Sequence, residues 1–314
     1  MRILVNDPIA EEVIDFLKTK HKVDTKEYEA DELLNNIHLY HAIIVRSRTK
    51  VTQDVIRKGE NLKVIGRAGV GVDNIDVEAA TRRKIPVVFS PGGSTVSVAE
   101  LALGHMLSLA RNLVLSDNSV RAGKWEKKRF KGIELQGKVL GLVGAGRIGT
   151  EVCKRARAFG MRVLAFDPYL SEEHATKIGV ELVGLPELLK ESDFVSIHAV
   201  LTPETRGLIG KKELDMMKRS AYLINCARGG IVDEDALAGA LQEGRIAGVA
   251  LDVFENEPPK DSPLLKLDNI HFTPHLGAST TEAQRRAGKM VAEQVLRVMD
   301  GEIPDQVVNR EIYD

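Results

Sequence analysis

The stretch Lys138–Asp167, KVLGLVGAGRIGTEVCKRARAFGMRVLAFD, decides how this chain is read. Its residues Val139 to Val143 are apolar or small without alternation, the pattern of a strand buried on both faces. GAGRIG follows, then a helical pattern, then a second apolar run, RVLAF, that ends on Asp167. In such a strand, turn, helix, strand unit Gly144 permits the tight turn, Gly146 lets backbone approach a pyrophosphate, and Gly149 lets the helix pack close to the sheet. Arg147 and Ile148 open the helix, whose first unpaired N–H groups suit anionic phosphates. Asp167 lies 18 residues beyond Gly149, where the acid that receives the ribose hydroxyls is expected. The glycine spacing alone is a weak signal. Its agreement with both strands, the helix and the terminal acid makes the stretch a dinucleotide site.

A chain of 314 residues exceeds the size at which a single core usually keeps growing, so two domains are expected. A net charge of −1 gives no reason to expect nucleic acid or an acidic membrane surface as partner. Cys153 and Cys226 have no partner at metal-ligand or redox spacing, so no metal is expected and a reducing cytoplasm is the simplest setting. MRILVND at the N-terminus goes straight into a strand and lacks a signal peptide's apolar region. The longest nearly apolar run, Leu101 to Ala110, is interrupted by His105 and reads as a buried helix rather than a membrane span.

Before residue 95 short apolar runs alternate with amphipathic helices: strands at Arg2–Val5, Ala42–Val45, Leu62–Ile65 and Val87–Phe89, helices near Pro8–Lys20, Gln53–Lys58 and Asp76–Lys84. Two loops, VRSRTKVT at Val45–Thr52 and GRAGVGVDNID at Gly66–Asp76, put Arg46, Arg48 and Arg67 after strand ends, where open α/β sheets bind ligands. In SVAE, Ser97 is expected to cap a helix and Glu100 to reach back to its N–H. The basic segment GKWEKKRFKGIELQGK carries the only tryptophan, Trp125, and reads either as a solvated loop or as a subunit contact. Further strands are expected at Phe194–His198, Tyr222–Cys226, Gly248–Val253 and Ile270–Thr273, and a long helix at Thr280–Met299. The last residues, DQVVNREIYD, leave room for one short strand returning to the first domain. The fold class that follows is α/β: a Rossmann-type doubly wound parallel sheet in residues 95–284, and a smaller flavodoxin-like domain made of residues 1–94 and 285–314.

Three polar groups stand at strand ends in the second half: Arg228 in NCARGGIVDE, Glu257 in DVFENEPP and His275 in TPHLGAST. A nicotinamide enzyme acting on a hydroxy acid needs these residue types. A cation must hold the carboxylate and polarise the α-oxygen, and a group near neutrality must move the hydroxyl proton. Arginine's planar fork meets a carboxylate with two hydrogen bonds, histidine is the usual proton carrier, and a neighbouring glutamate orients its ring. Each has a plainer alternative as a surface charge, loop acid or buried histidine. Gly229, Gly230, Pro274 and Gly277 favour the chemical reading by placing tight turns beside each group.

VRSRTKVT, GRAGVGVDNID, SVAE, GKWE, GAGRIG, NCARGGIVDE, ALDVFENEPP and PHLGASTTEAQ occur in this order along nearly the whole chain. In this series the chain resembles the D-isomer-specific 2-hydroxyacid dehydrogenases, and GRAGVGVDNID with PHLGASTTEAQ is similar to the branch acting on 3-phosphoglycerate. The resemblance implies an NAD-dependent enzyme with Arg228 on the substrate carboxylate, His275 as acid/base and Glu257 as its partner. It implies cofactor contacts at Val70, Arg147, Ile148, Asp167, His198, Ala199, Cys226, Ala227, Arg228, Asp252, His275, Leu276, Gly277 and Ala278, with Asp252 on the nicotinamide carboxamide and Cys226 as a backbone contact. Substrate contacts are expected from Arg46, Arg48, Arg67, Val70, Gly71 and Ser94, the last standing where the family often has asparagine. A homodimer and a small-molecule substrate are implied, with the active site in the cleft between domains. Feedback by serine through the C-terminal regulatory domain of longer members is not expected. Alternatives are reduction of hydroxypyruvate or glyoxylate, or an NAD(H)-sensing interaction protein.

Overall fold

The computed structural model describes residues 1–314, which divide into two compact units, Met1–Ser94 with Ala278–Asp314, and Thr95–Gly277. The first contains β1 (Arg2–Val5), α1 (Glu11–Lys18), β2 (Lys22–Asp24), α2 (Ala30–Asn36), β3 (Ala42–Val45), α3 (Gln53–Lys58), β4 (Val64–Arg67), α4 (Val77–Arg82) and β5 (Val87–Phe89). The second contains α5 (Thr95–Arg111), α6 (Leu113–Arg121), β6 (Val139–Val143), α7 (Arg147–Ala158), β7 (Arg162–Phe166), α8 (Glu172–Ile178), β8 (Glu181–Leu182), α9 (Leu185–Glu191), β9 (Phe194–Ile197), α10 (Lys211–Met216), β10 (Tyr222–Asn225), α11 (Glu234–Gln242), β11 (Gly248–Leu251) and β12 (Ile270–Phe272). The chain then enters α12 (Thr281–Met299), part of the first unit.

In the first unit a five-stranded parallel sheet runs β2-β1-β3-β4-β5, the flavodoxin-like order. β3 is buried at every position because helices cover both faces of a parallel sheet, which is why its sequence, AIIV, does not alternate. α12 is the long cover. Thr280 caps it by accepting from the Ala283 N–H at 3.1 Å, and its small and β-branched residues Ala287, Val291, Ala292 and Val295 are buried, the last three in one core with Ile3, Ile44 and Val64.

The second unit holds a seven-stranded parallel sheet, β12-β11-β10-β9-β6-β7-β8. The order reverses between β6 and β9, the topological switch point at which such sheets bind ligands. GAGRIG follows β6 and His198 follows β9, so both stand at that point.

Four expectations are corrected. The strand placed at Leu62–Ile65 runs Val64–Arg67, because the Leu62 N–H turns back to the Gly59 carbonyl at 2.9 Å; Arg67 therefore ends the strand itself. The helix expected from Pro8 starts at Glu11. Ser97 does not cap α5, which begins two residues earlier; its hydroxyl donates to the Gly277 carbonyl at 2.8 Å, and Glu100 pairs with Arg155 at 3.3 Å. The C-terminal segment does return to β5, but as a single antiparallel bridge, Val88 with Val307, and not as a strand. No single helix is long and apolar enough to cross a membrane.

α12 lies against β4 at Gly66, where a Cβ would stand 2.8 Å from Val291 Cγ1 and 2.9 Å from Val295 Cγ2. Gly66→Ala is therefore expected to overpack this contact and cost about 1–3 kcal/mol, read as a lower urea midpoint. An unchanged midpoint would show that α12 can shift without cost.

Candidate active site

The dinucleotide loop is shaped by close approach. Gly144 has φ +92°, and a Cβ there would stand 2.9 Å from His198 C and Ala199 N. At Gly149 a Cβ would fall 2.4 Å from the Gly144 carbonyl oxygen, so this glycine seats α7 against the turn. Gly146 differs: no atom lies within 4 Å of its Cβ position, leaving bare backbone beside open space. α7 starts directly after it, with no acidic residue in the first turn and no side-chain cap. Its N–H groups remain available to an anion. Asp167, directly after β7, accepts from Ala145 N–H (2.9 Å) and Tyr169 N–H (3.0 Å) and so braces the loop. His198 bonds Ser196 Oγ through Nε2 at 2.8 Å, while its buried Nδ1 has no partner. Burial pushes this histidine down to about 4, so the ring is neutral. Bare backbone, an uncapped helix start and an orphaned buried nitrogen fit a dinucleotide.

At the other strand ends the structure brings Arg228, Glu257 and His275 together. His275 Nδ1 lies 2.7 Å from Glu257 Oε2, and Glu257 Oε1 accepts the Phe254 N–H at 3.2 Å. Burial raises the Glu257 carboxyl, but the hydrogen bond and charge of His275, the Phe254 N–H and nearby Arg228 outweigh it and leave Glu257 below its ordinary value. Gly229 brings the Arg228 loop in: a Cβ there would lie 1.9 Å from the Phe254 carbonyl oxygen. Arg228 Nη1 donates to the Ala227 carbonyl at 2.7 Å, and the Arg228 carbonyl accepts from Asn225 Nδ2 at 2.9 Å. The Cys226 thiol, pushed far up by burial, stays protonated and is no nucleophile.

Asp252, expected on the nicotinamide carboxamide, lies directly after β11. It is fully buried, and its oxygens accept from Thr273 Oγ1 (2.6 Å), Leu276 N–H (2.6 Å) and Gly277 N–H (2.9 Å). His275 sits inside this loop in the left-handed region, φ +52°. The sequence marks His105 only as an interruption in α5 and does not mark Thr273, yet the two lie 3.1 Å apart next to Asp252. The one available signal is a histidine inside an apolar helix.

In the first unit the two loop arginines part company. Arg48 Nε pairs with Asp7 at 3.1 Å, Nη2 donates to the Asn6 carbonyl at 2.6 Å, and Nη1 faces Glu27 at 3.2 Å. Arg46 has no carboxylate within ion-pair distance; its side chain makes only a long contact to the Pro8 carbonyl, 3.5 Å. Beyond the end of β3 at Val45, buried Asp7 draws in the N–H groups of Arg46 and Thr49. Arg67 Nε donates to Asn74 Oδ1 at 3.2 Å, and Asn74 in turn donates to the Arg46 and Thr49 carbonyls, tying the two loops together. Val70 is exposed at the loop tip beside half-buried Gly71, and Ser94 is buried.

Residues 103–277 match the model of the D-isomer specific 2-hydroxyacid dehydrogenase, NAD binding domain. D-3-phosphoglycerate dehydrogenase of Methanocaldococcus jannaschii is 54% identical over 98% of this chain and 59% of that protein, and hydroxypyruvate reductase of Thermotoga maritima is 48% identical over 94% and 97%. The chain belongs to this dehydrogenase family. A solved structure from Thermus thermophilus superposes with a TM-score of 0.91 at 37% identity, covering 98% of this chain and all of that one. The chain spans little more than half the length of several curated phosphoglycerate dehydrogenases that it matches.

Asp167 stands directly after β7, where the acid that receives the ribose hydroxyls is expected, and neither Pro168 nor Tyr169, which follow it, is basic. A 2′-phosphate would meet that charge unscreened. NAD is therefore expected to give the higher kcat/KM; equal or better use of NADP would remove Asp167 from ribose recognition.

Proposed function

We propose that this chain oxidises D-3-phosphoglycerate to 3-phosphohydroxypyruvate with NAD, the first step of serine synthesis by the phosphorylated route. The observation that carries the reading is the pair His275 Nδ1 to Glu257 Oε2, 2.7 Å, with Arg228 acting on the same carboxylate. Nδ1 is occupied, which leaves Nε2 to take the substrate's hydroxyl proton, and Glu257 stabilises the charged ring that results. Arg228 holds the substrate carboxylate and polarises the α-oxygen as it becomes a ketone. Bound NAD would supply the acceptor for the hydride that leaves the α-carbon.

A carboxylate at one end and a phosphate at the other require two cationic sites. Arg228 serves the first. For the second we assign Arg46, the arginine of its loop without a carboxylate partner, with Arg67 as a further contact, while the Val70 and Gly71 backbone N–H groups are assigned to the carboxylate; Arg48 is committed to Asp7 and Glu27. Ser94 is assigned a substrate hydrogen bond. Several relatives of this chain are named D-3-phosphoglycerate dehydrogenase, which supports the substrate.

His275→Ala is expected to lower kcat roughly 10²- to 10⁴-fold, the span of general acid–base catalysis, and Glu257→Gln to lower it less. Near-normal turnover of His275→Ala across pH would take this histidine out of the chemistry.

A hydrogen bond to a charged group is worth about 1.5–3 kcal/mol, so Arg46→Ala is expected to raise KM for phosphoglycerate by about tenfold or more while D-glycerate and D-lactate feel it little. Preference of the unmodified protein for hydroxypyruvate or another unphosphorylated acid would overturn the substrate, and NAD binding without turnover of any acid would favour a sensing role.

We further assign a cytoplasmic homodimer. Leu113, Val114 and Val120 on α6 and Trp125 beyond it are all exposed, Trp125 at 84%, and large apolar side chains exposed along one segment are what a protein contact would cover. Sedimentation is expected to give twice the chain mass, and Val120→Glu with Trp125→Glu the single-chain mass; a monomeric unmodified protein would overturn this.

A further inference from the structure

α5 is buried and mostly apolar, yet it carries a polar stripe. Ser97, His105 and Ser108 recur at helical spacing and share one face. Ser97 Oγ donates to the Gly277 carbonyl (2.8 Å), His105 Nε2 bonds Thr273 Oγ1 (3.1 Å) and Ser108 Oγ bonds His271 Nδ1 (3.2 Å). All three partners lie in residues 271–277, the segment that carries His275.

The polarity of the middle bond follows from its neighbour. Thr273 has a single hydroxyl proton, and it goes to Asp252 Oδ1 at 2.6 Å. The hydroxyl oxygen is then free only to accept, so His105 must donate and its ring must carry the proton on Nε2. Burial lowers the pKa of His105, Asp252 opposes this and His271 adds to it; the net shift is downward, so the ring is neutral at pH 7 and the one N–H it owns is the one this bond uses. A run of bonds in one direction results: His105 to Thr273, Thr273 to Asp252, with Asp252 also accepting from Leu276 and Gly277.

We propose that His105 is a positioning residue for His275, acting through Thr273 and Asp252. By fixing the Thr273 proton on Asp252 it holds the carboxylate against the two amides that follow His275, and those amides set the left-handed turn. The inference rests on reading His275 as the proton carrier, but its first readout does not.

The test compares His105→Leu, which keeps volume and removes the donor, with His105→Gln, whose Nε2 lies the same number of bonds from the backbone and restores it. In His105→Leu, amide exchange in residues 271–277 is expected to quicken and kcat to fall roughly three- to tenfold, the range one neutral hydrogen bond supplies, with KM for NAD nearly unchanged. His105→Gln is expected to return both toward the unmodified protein, which mere filling of space would not do. Thr273→Val breaks the same run from its middle. Because it also removes the bond to Asp252, it is expected to exceed His105→Leu in exchange and in loss of kcat, with no further loss in the double variant, and it carries the test if His105→Leu fails to fold. Unchanged exchange at 271–277 in these variants, equal behaviour of the Leu and Gln variants, or additive losses in the double variant would overturn the proposal. An active His275→Ala would instead overturn the role of His275 and leave the exchange result to judge the network.

Discussion

A single buried carboxylate, Asp252, is the constraint on which the candidate site depends. His275 is held at φ +52°, a conformation that costs a residue with a side chain about 1–3 kcal/mol. The cost is offset because Asp252 accepts from the hydroxyl of Thr273 and the N–H groups of Leu276 and Gly277, each charge-assisted bond being worth about 1.5–3 kcal/mol. The backbone carbonyl of Asp252 also accepts the His275 N–H at 2.9 Å. One strand end thereby does two things: Asp252, directly after β11, fixes the histidine's backbone, and Glu257, five residues on, fixes its ring.

The first unit solves a similar problem with the same device. Asp7, two residues beyond β1 and 2% exposed, accepts from Arg46 N–H, Thr49 N–H, Thr49 Oγ1 and Arg48 Nε. A buried acid at the carboxyl edge of a parallel sheet is expensive unless its oxygens are filled. Filling them from the neighbouring loop gives that loop one shape. The consequence for charge is asymmetric: Arg48 is spent on Asp7, while Arg46, two residues away, keeps a guanidinium without an acidic partner.

What was legible in the sequence was what periodicity and glycine encode. The unbroken apolar run of β6, the spacing of Gly144, Gly146 and Gly149, and the polar groups at strand ends all report local or sheet-edge geometry, and the fold class followed. Expectations built on short motifs fared worse. SVAE has the pattern of a capping box, but tertiary contacts decide otherwise: Gly277 takes the Ser97 hydroxyl and Arg155 takes Glu100. β2 and β8 leave no mark in the sequence because they are three and two residues long and neither has a fully buried residue, so no apolar run signals them. The Asp252 network was invisible for a different reason. His105 and Thr273 are 168 positions apart, and nothing in a single chain says that such distant residues meet.

Several costly features stand at one place in the fold, although Lys84 and Asn112 are left-handed elsewhere and His21 Nε2 and Ser90 Oγ are also buried without a partner. The strands β3, β9 and β11 are buried at every position and hold no strain. At the carboxyl edges of the second sheet stand a histidine in the left-handed region, a buried ring nitrogen of His198 without a partner, and a helix start with neither cap nor acid. Local consistency is the rule for a sequence that specifies one fold, and departures from it concentrate where binding or chemistry needs them. The sheets supply the surplus stability that tolerates such departures, and their parallel order collects the edges that bear them at a switch point. The orphaned nitrogen is unfavourable in the free chain, and it, the bare backbone at Gly146 and the open helix start are each a group that a bound dinucleotide can satisfy. Their coincidence beside the β6 and β9 ends is what distinguishes a binding loop from a merely tight turn.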